Sequence, residues 1–423
     1  MSSSFHQPPG VIAPKRVVVV GAGMLGLATA WFLQEYGVEV TVLERADVAA
    51  GSSWGNAGWL SPGMAIPLPE PTVLRYALRS LFDRDAALSV PLTRDLAVWR
   101  FLVNFARRST NAQWRRAMQS YLSINRGALG AFDELSDGGV TSATISAPIM
   151  ACFKERAQAH ELRHELERIE AAGQHVDVHQ LTGDEARAMV GQIAEVVQVV
   201  VQINGQRYLD PGAYVQSLAA SVMARGGEVR TGFRVRTLRR GAGAITLEGE
   251  AGVAERADAV VVATGAWLNE LARPIGVRLR VQAGRGYSFS VDTAEPLSNP
   301  IYLPVARVAC TPYQNGMRVG GTMEFRSLEH PIVQSRVDAL ARSAQPLLRG
   351  VDWASMRDVW VGPRPVSADG MPLVGASGVP GIFVAGGHGM WGITLGPISG
   401  KLLAEQMVTG TQPADLQAFS PTR

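Results

Sequence analysis

Residues 16–26 read Arg16-Val-Val-Val-Val-Gly21-Ala-Gly23-Met-Leu-Gly26, and this stretch decides the fold. The valine run predicts a buried strand, and the glycines at GxGxxG spacing predict a tight turn that opens a helix. Backbone N–H groups and the helix dipole at such a turn attract phosphate. Glu44 follows Gly26 by 18 residues, after a second apolar strand, at a spacing where a carboxylate accepts hydrogen bonds from a ribose diol. The stretch therefore predicts a dinucleotide site.

A second interpretation of this stretch is an export signal or a membrane anchor. Residues 17–34 carry no charge and follow Lys15 and Arg16, which is typical of such segments. The glycine spacing favours the nucleotide interpretation, and so do the polar residues Gln34 and Glu35, after which no small-residue cleavage site follows. We therefore expect a cofactor-binding strand, turn and helix here.

The composition is that of a globular protein. The chain has 423 residues, of which 47% are hydrophobic and 18% charged, enough for two domains. The formal net charge is +3 with scattered basic residues, so a nucleic-acid partner has no support. Cys152 and Cys310 are the only cysteines, and no His and Cys cluster has metal-ligand spacing, so we expect neither a disulfide framework nor a metal site. We predict a cytoplasmic protein with a disordered leader over residues 1–14.

The nucleotide fold must be completed by distant segments. Residues 50–62, where a nicotinamide domain would continue with a strand and a helix, form instead a loop of small residues. Apolar strands are predicted over 228–235, 258–263 and 381–386, and the last leads into a helix predicted over 397–407. A cofactor that contacts both ends of the chain is longer than a mononucleotide, which favours a flavin dinucleotide.

Several short segments resemble the FAD-dependent D-amino acid oxidase and glycine oxidase superfamily, and within it the bacterial D-amino acid dehydrogenases. Beside residues 21–26 and Glu44, they are 52–58 with 61–63, 205–211, 285–288, 317–321, 362–365 with 369–372, and 386–392. The resemblance covers nearly the whole chain. It implies an α/β fold, in which an FAD-binding Rossmann-like domain of the glutathione-reductase type (15–63, 205–276 and 366–423) carries an inserted mixed β-sheet substrate domain (64–204 and 277–365).

The resemblance also implies which residues bind the cofactor. The loop 52–58 would wrap the pyrophosphate and reach the isoalloxazine, and the backbone of Val235 would contact adenine. The segment 387–394 would lie under the pyrimidine end, where a helix N-terminus would face flavin N1–C2=O. FAD would be non-covalent, because no cysteine lies in the C-terminal flavin segment. The implied cofactor-binding residues are Gly21, Ala22, Gly23, Met24, Leu25, Gly26, Glu44, Arg45, Ser52, Ser53, Gly55, Asn56, Ala57, Gly58, Val235, Thr264, Gly265, Arg364, Gly387, His388, Gly389, Gly392, Ile393 and Thr394.

Arg364 is the residue that the resemblance assigns to the substrate, because the arginine of this GxRP-type motif binds the substrate carboxylate in glycine oxidase and its relatives. A guanidinium holds a carboxylate at two points and fixes which face of Cα meets the flavin. A structural arginine that caps a strand is the alternative. Tyr287 and Tyr302 are weaker candidates for a hydroxyl over the substrate, because buried tyrosines are often core residues. His388 is predicted beside the flavin, the alternative being a packed turn residue.

The predicted reaction is FAD-dependent oxidative deamination of amino acids, with D-amino acids as the expected substrates. Hydride transfer from Cα to flavin N5 would give an imine, which water hydrolyses to a 2-oxo acid and ammonia. A quinone or O₂ would take the electrons. Arg100, Asn104, Arg107 and Arg108 share one helical face, which predicts a peripheral contact with the inner face of the cell membrane. An amphipathic helix packed on its own domain is the alternative.

Other functions stay open at this point. A glycine- or sarcosine-type secondary-amine oxidase and a D-hydroxyproline dehydrogenase would share every motif quoted above. A NAD-dependent dehydrogenase, from a different class, would be colourless and would need added nucleotide. A flavin-binding protein without enzymatic activity would be yellow, but no amine would bleach it.

Overall fold

The computed structural model describes residues 13–80, 88–89 and 95–423. The predicted leader over residues 1–14 lies, up to residue 12, outside the described residues. The first strand, helix and second strand span Arg16–Val20, Met24–Glu35 and Glu39–Leu43, where the sequence predicts them.

Distant segments complete a mostly parallel sheet around the first strand. The strands lie in the order Glu228–Arg230, Glu39–Leu43, Arg16–Val20, Ala259–Val262, Ile382–Gly386 and Leu373–Ala376. Neighbours are parallel except for the last pair. The valines of the first strand are buried on both faces, as a central parallel strand requires. Gly21, Glu44 and Thr264 follow the carboxyl ends of three adjacent strands, so they meet at one edge of the sheet.

The first helix and the Gly392–Thr409 helix pack together on one face of this sheet. Gly400 permits their close approach, because a methyl group there would lie 2.8 Å from the backbone nitrogen of Thr29. The helices of the described chain span Met24–Glu35, Pro71–Ser80, Leu96–Arg108, Asn111–Asp137, Arg156–Ala171, Gly183–Met189, Pro211–Ala224, Leu268–Ala272, Gln334–Ala344 and Gly392–Thr409.

Two sequence-based boundaries are wrong. The last helix begins at Gly392 rather than at 397, because burial of its first turn outweighs the one backbone hydrogen bond that Pro397 cannot make. The strand predicted over 228–235 is two strands in different sheets, Glu228–Arg230 and Val235–Arg240. The chain turns between them at Gly232, whose backbone φ is +72°.

A mixed sheet forms the second large layer. Its strands lie in the order Val351–Ser367, Val281–Thr293, Gly316–Phe325, Val308–Tyr313, Ile301–Leu303, Ile149–Phe153, Val199–Ile203 and Val178–Thr182, with Leu88–Ser89 beside Gly316–Phe325. Most pairs are antiparallel, but Ile301–Leu303 runs parallel to Ile149–Phe153, and Leu88–Ser89 is parallel to its neighbour. The Gln334–Ala344 helix covers one face with a common apolar core.

Two small antiparallel sheets contain the remaining strands of the described residues. One contains Val235–Arg240, Ile245–Gly249 and Ala254–Ala257, and the other contains Trp59–Leu60, Arg207–Tyr208 and Ile145–Ser146. The predicted fold class, a Rossmann-like domain with an inserted mixed-sheet domain, is confirmed. The numbered domain boundaries stay a prediction, and the Val351–Ser367 strand runs two residues beyond the predicted boundary at 365.

Candidate functional site

The glycine turn has the backbone geometry that its sequence predicts. Gly21 has a φ of +115°, and its N–H donates to the carbonyl oxygen of Leu43 at 2.8 Å. A methyl group at Gly26 would overlap the backbone carbonyl of Gly21, so only glycine lets the helix begin directly behind the turn. The N-terminus of the Met24–Glu35 helix therefore opens beside the sheet edge.

The Glu44 carboxylate bridges two backbone segments at this edge. Its Oε2 accepts from the N–H of Ala22 at 2.9 Å, and its Oε1 accepts from the N–H of Ala46 at 3.0 Å. Each carboxylate oxygen keeps lone-pair capacity for another donor. Glu44 thus orders the turn and also presents acceptors to the space beside it.

A cavity, called here the first cavity, runs along the sheet edge between the two helix N-termini. Of the predicted cofactor-binding residues, it is lined by Gly21, Gly23, Met24, Leu25, Glu44, Arg45, Ser52, Ser53, Asn56, Val235, Thr264, Gly265, Arg364, His388, Gly389, Gly392 and Ile393. The other predicted residues do not line it: Ala22, Gly26, Gly55, Ala57, Gly58, Gly387 and Thr394. Of these, Gly55 and Ala57 line a second cavity, described below. Thr394 supports the wall, because its hydroxyl donates to the carbonyl of Trp59 at 2.9 Å.

Arg45 was predicted at the first cavity, but the residues beside it there were not. The guanidinium of Arg45 lies 3.6 Å from the centre of the Trp267 ring, and Phe233, Arg234 and Glu270 line the same end. A cation stacked on indole makes a flat, partly charged surface. These residues come from three separate segments, so no local motif could have grouped them.

The first cavity fits an elongated anionic nucleotide. Two helix N-termini, at Met24 and Gly392, open into it, and such termini stabilise negative charge. The Thr264 hydroxyl is buried at its wall without a hydrogen-bond partner among the described residues. A buried polar group of this kind is normally satisfied by a ligand or by water. The residues present therefore suit FAD.

The loop 52–58 separates the first cavity from a second one and is braced by the mixed sheet. The carbonyl of Gly55 accepts from the Ser288 hydroxyl at 2.7 Å and from Nε of Arg318 at 3.4 Å. The Arg318 guanidinium, only 2% exposed, also donates to the Ser290 hydroxyl at 3.0 Å. Arg318 lies in the quoted 317–321 segment, but its role depends on contacts that the sequence does not reveal.

Arg364 lies where the two cavities meet, because it lines both of them together with Ser52 and Asn56. Its Nη1 donates to the carbonyl of Thr322 at 2.7 Å, and Gly286 packs so closely that a methyl group there would overlap the guanidinium. Burial lowers the pKa of Arg364 to about 10, which leaves it charged at neutral pH. No carboxylate of the described chain pairs with it.

The second cavity has a volume of about 500 Å³ and a mostly apolar wall. Its apolar lining includes Leu68, Val73, Leu88, Trp99, Leu102, Val103, Phe105, Met323, Phe325 and Trp391. Arg307 and Arg364 are the charged residues among the lining that the structure describes, which contains no Asp or Glu. Such a space suits a ligand with an anionic end and an apolar body.

The two predicted tyrosines differ in position. The Tyr287 hydroxyl donates to Oε2 of Glu324 at 3.3 Å within the core under the Gln334–Ala344 helix, so this hydroxyl is already engaged. Both tyrosines line the second cavity, where Tyr302 meets Trp59 edge to face, with 5.6 Å between ring centres. Burial raises the pKa of Tyr302 to about 12, so its hydroxyl stays protonated. Of the two, Tyr302 is the better candidate for a hydroxyl contact with a ligand, because Glu324 already engages the hydroxyl of Tyr287.

His388 lines the first cavity and is 3% exposed. Its Nε2 lies 2.9 Å from the hydroxyl of Ser399 on the Gly392–Thr409 helix. Burial lowers the pKa of His388 from 6.5 to about 4, so the imidazole is neutral at pH 7. Because the ring is neutral, the N-terminus of the Gly392–Thr409 helix, and not His388, provides the positive potential at this part of the first cavity.

The depressed pKa of His388 predicts a loss of stability in acid. Between pH 6.5 and pH 4 the unfolded state takes up a proton that the folded state excludes, so the free energy of unfolding falls as the pH is lowered. At pH 4.5, protonation of His388 in the unfolded state lowers the free energy of unfolding by about 2–3 kcal/mol. Melting temperatures from pH 7.5 to 4.5 should therefore fall less steeply for His388→Asn than for the wild type. Parallel slopes would show that this histidine already titrates normally when folded.

The described residues contain no group of three or more His, Cys, Asp and Glu that could hold a metal ion. Cys152 and Cys310 are buried in the core of the mixed sheet, where burial raises the pKa of both thiols. Neither sulfur lines the first cavity. No helix within the described ranges combines the length and the hydropathy that crossing a membrane requires.

Comparisons with known proteins agree with this geometry. Residues 16–406 match the DAO family model, described as FAD dependent oxidoreductase. The D-amino acid dehydrogenases of Cereibacter sphaeroides and Xylella fastidiosa are 30% and 29% identical to this chain, covering 94% and 92% of it and 92% and 91% of their own lengths. Among solved structures, glycine oxidase from Geobacillus kaustophilus has a TM-score of 0.74 at 22% identity, over 97% of this chain and 99% of the other.

Proposed function

Since the chain belongs to the DAO family of FAD-dependent oxidoreductases, we propose that it is a D-amino acid dehydrogenase. The observation that carries this proposal is the position of Arg364, a partly buried cation at the junction of a nucleotide-shaped cavity and a ligand-sized one. The first cavity binds FAD, and the second receives the amino acid. The two relatives that match this chain over most of its length are both named D-amino acid dehydrogenase.

Arg364 binds the substrate carboxylate in this proposal. Burial of a guanidinium without a charge partner is costly, and a carboxylate ligand removes that cost through two charge-assisted hydrogen bonds. The contact of Nη1 with the Thr322 carbonyl holds the guanidinium plane in place before the ligand arrives. A carboxylate fixed at the junction places the adjacent Cα–H next to the first cavity.

The chemistry then follows from position. Bound FAD supplies the acceptor for the hydride that leaves Cα. The substrate loses two electrons and becomes an imine, and water hydrolyses the imine to a 2-oxo acid and ammonia. The loop 52–58, braced through Gly55 by Ser288 and Arg318, holds the two cavities at a constant separation. The protein contributes orientation, exclusion of water by the apolar wall, and a neutral His388.

The second cavity favours substrates with an apolar side chain. Its volume of about 500 Å³ exceeds the needs of glycine or sarcosine, and its wall away from Arg364 is formed by residues such as Leu102, Phe105 and Phe325. This supports a D-amino acid dehydrogenase over the glycine- or sarcosine-type alternative. D-hydroxyproline, with a polar ring, is less well matched to the same wall.

The electron acceptor in this proposal is a membrane quinone. Val98, Phe101 and Phe105 of the Leu96–Arg108 helix are buried, so this helix packs on its own domain. Its opposite side nevertheless exposes Leu96 at 69% of its surface, and Val103, which also lines the second cavity, is 47% exposed. Apolar residues beside a row of arginines are suited to a peripheral contact with anionic lipid. The helix also lines the second cavity, which would place the lipid surface near the site.

Anaerobic mixing of the purified yellow protein with single amino acids tests the function. We expect D-leucine and D-phenylalanine to bleach the flavin absorbance, and their L-forms to leave it unchanged. The carboxylate on Arg364 and the side chain in the second cavity together leave one configuration with Cα–H next to the first cavity. Glycine, sarcosine and the hydroxyproline isomers serve as comparison substrates. Faster bleaching by glycine or sarcosine would favour the secondary-amine oxidase instead.

Two further results of this experiment would reject the proposal. A colourless protein that requires added NAD would place it in another class, and a yellow protein that no amine bleaches would be a flavin-binding protein without this activity. Reoxidation of the reduced protein by a soluble quinone and by O₂, followed separately, identifies the acceptor. We expect the quinone to be faster.

A further inference from the structure

Thr322 lies at an irregularity of the mixed sheet. Gly321 is paired with Tyr287 and Glu324 with Arg285, so the Gly316–Phe325 strand carries one residue more than its neighbour between these pairs. This β-bulge gives Thr322 a backbone φ of +58°. A positive φ is a conformation that β-branched residues rarely adopt, and bulges near active sites often redirect a side chain. The strain at Thr322 therefore calls for an explanation.

The backbone of the bulge binds Arg364. The Thr322 carbonyl accepts from Nη1 of Arg364 at 2.7 Å, and Gly286 on the paired strand leaves room for the guanidinium. A glycine at position 322 would supply the same carbonyl without strain, because glycine adopts a positive φ freely. The carbonyl contact thus explains the bulge but not the threonine side chain.

The side chain points to a second role. Thr322 lines the second cavity, and its Oγ1 is buried with no hydrogen-bond partner among the described residues. An unsatisfied buried hydroxyl destabilises a protein unless a ligand or water completes it. Two unfavourable features, a strained backbone and an unpaired hydroxyl, coincide at the residue that holds Arg364.

We propose that the Thr322 hydroxyl accepts a hydrogen bond from the amino group of the substrate, which makes Thr322 a residue that selects amino acids over other carboxylic acids. This inference rests on the proposed function. Arg364 has only donors to offer, so it serves the carboxylate. The amine needs an acceptor, and the described lining of the second cavity contains no carboxylate to provide one. The Thr322 Oγ1, beside the residue that holds the carboxylate, is such an acceptor.

Thr322→Val and Thr322→Ser form the matched pair for a test. Valine keeps the size and the β-branch but removes the hydroxyl, whereas serine keeps the hydroxyl. With the flavin-loaded protein, we expect Thr322→Val to raise the D-phenylalanine concentration for half-maximal anaerobic bleaching about tenfold, the effect of one lost hydrogen bond. Thr322→Ser should stay close to the wild type.

A ligand without an amine identifies the group that Thr322 recognises. 3-Phenylpropanoate is phenylalanine without its amino group, and it competes through the carboxylate alone. Its inhibition constant should be the same in the wild type and in Thr322→Val. Equal weakening of both ligands would mean that Thr322 acts only by holding Arg364, and unchanged D-phenylalanine binding in Thr322→Val would mean that the hydroxyl is not used. Either result overturns this inference.

Thr322→Gly adds a readout that does not depend on turnover. Glycine relieves the positive φ, so we expect the melting temperature to equal or exceed that of the wild type, while D-phenylalanine binding weakens as in the valine variant. A glycine variant that binds D-phenylalanine as well as the wild type does would overturn the inference. If the wild type itself is not bleached by any amino acid, the proposed function fails instead, so the two failures are distinguishable.

Discussion

Replacement of Arg364 by alanine is expected to lower the second-order rate constant for anaerobic bleaching by D-leucine about a thousandfold, which corresponds to about 4 kcal/mol. The substrate carboxylate would lose both charge-assisted hydrogen bonds in a cavity whose described lining offers no other cation except the exposed Arg307. Arg364→Lys should show an intermediate loss, because an ammonium keeps the charge but not the two-point geometry. Stopped-flow absorbance measures both variants.

Arg307→Ala is the matched control for this prediction. Arg307 lines the same cavity but is exposed, so water already screens its charge. We expect its removal to change the rate less than tenfold. Both alanine variants should purify with the flavin spectrum of the wild type. Unchanged bleaching in Arg364→Ala, with flavin bound, would contradict the assignment of the carboxylate to this residue.

The second large effect is expected at the glycine turn. Gly26→Ala should purify with little or no flavin and with a lower melting temperature, because the added methyl group overlaps the carbonyl of Gly21 and lies 3.3 Å from Cβ of Ala263. Both neighbours belong to the strand ends that form the first cavity, so the helix N-terminus must move away from it. The ratio of flavin to protein absorbance measures the loss.

Gly130→Ala provides the control of opposite sign. Gly130 lies in the Asn111–Asp137 helix, is exposed, and has open space where a methyl group would be placed. The substitution should leave flavin content unchanged and raise the free energy of unfolding by about 0.5–1 kcal/mol. If Gly26→Ala retained full flavin content, the close packing of turn and helix would not be a requirement for cofactor binding.

The parts of the fold that the sequence predicts well are those with local causes. The GxGxxG turn depends on backbone room within one segment, so the Arg16–Val20 strand and the helix after it are predicted correctly. The strand predicted over 228–235 fails because the residues on either side of Gly232 do not show which sheet each half joins. Register between distant segments is not a local property.

The candidate site divides in the same way. Arg364 and His388 could be predicted because family motifs surround them, and the structure places both at the first cavity. A bulge between two long strands explains both the hydrogen bond from Tyr287 to Glu324 and the strain at Thr322. The residue types in these strands do not predict that bulge. The role of Arg318 could not be predicted for a similar reason, because its hydrogen-bond partners lie in distant segments, among them the loop 52–58.

The strand order of the nucleotide-binding sheet has a consequence for synthesis on the ribosome. Arg16–Val20 is translated about 360 residues before Ile382–Gly386, which closes the parallel array beside Ala259–Val262. At about 5–20 residues per second, the nascent strand waits roughly twenty seconds to more than a minute for that segment. During this interval the valines of the first strand are not yet buried in a completed sheet. The cofactor therefore binds late, and chaperones can bind the nascent chain before it does.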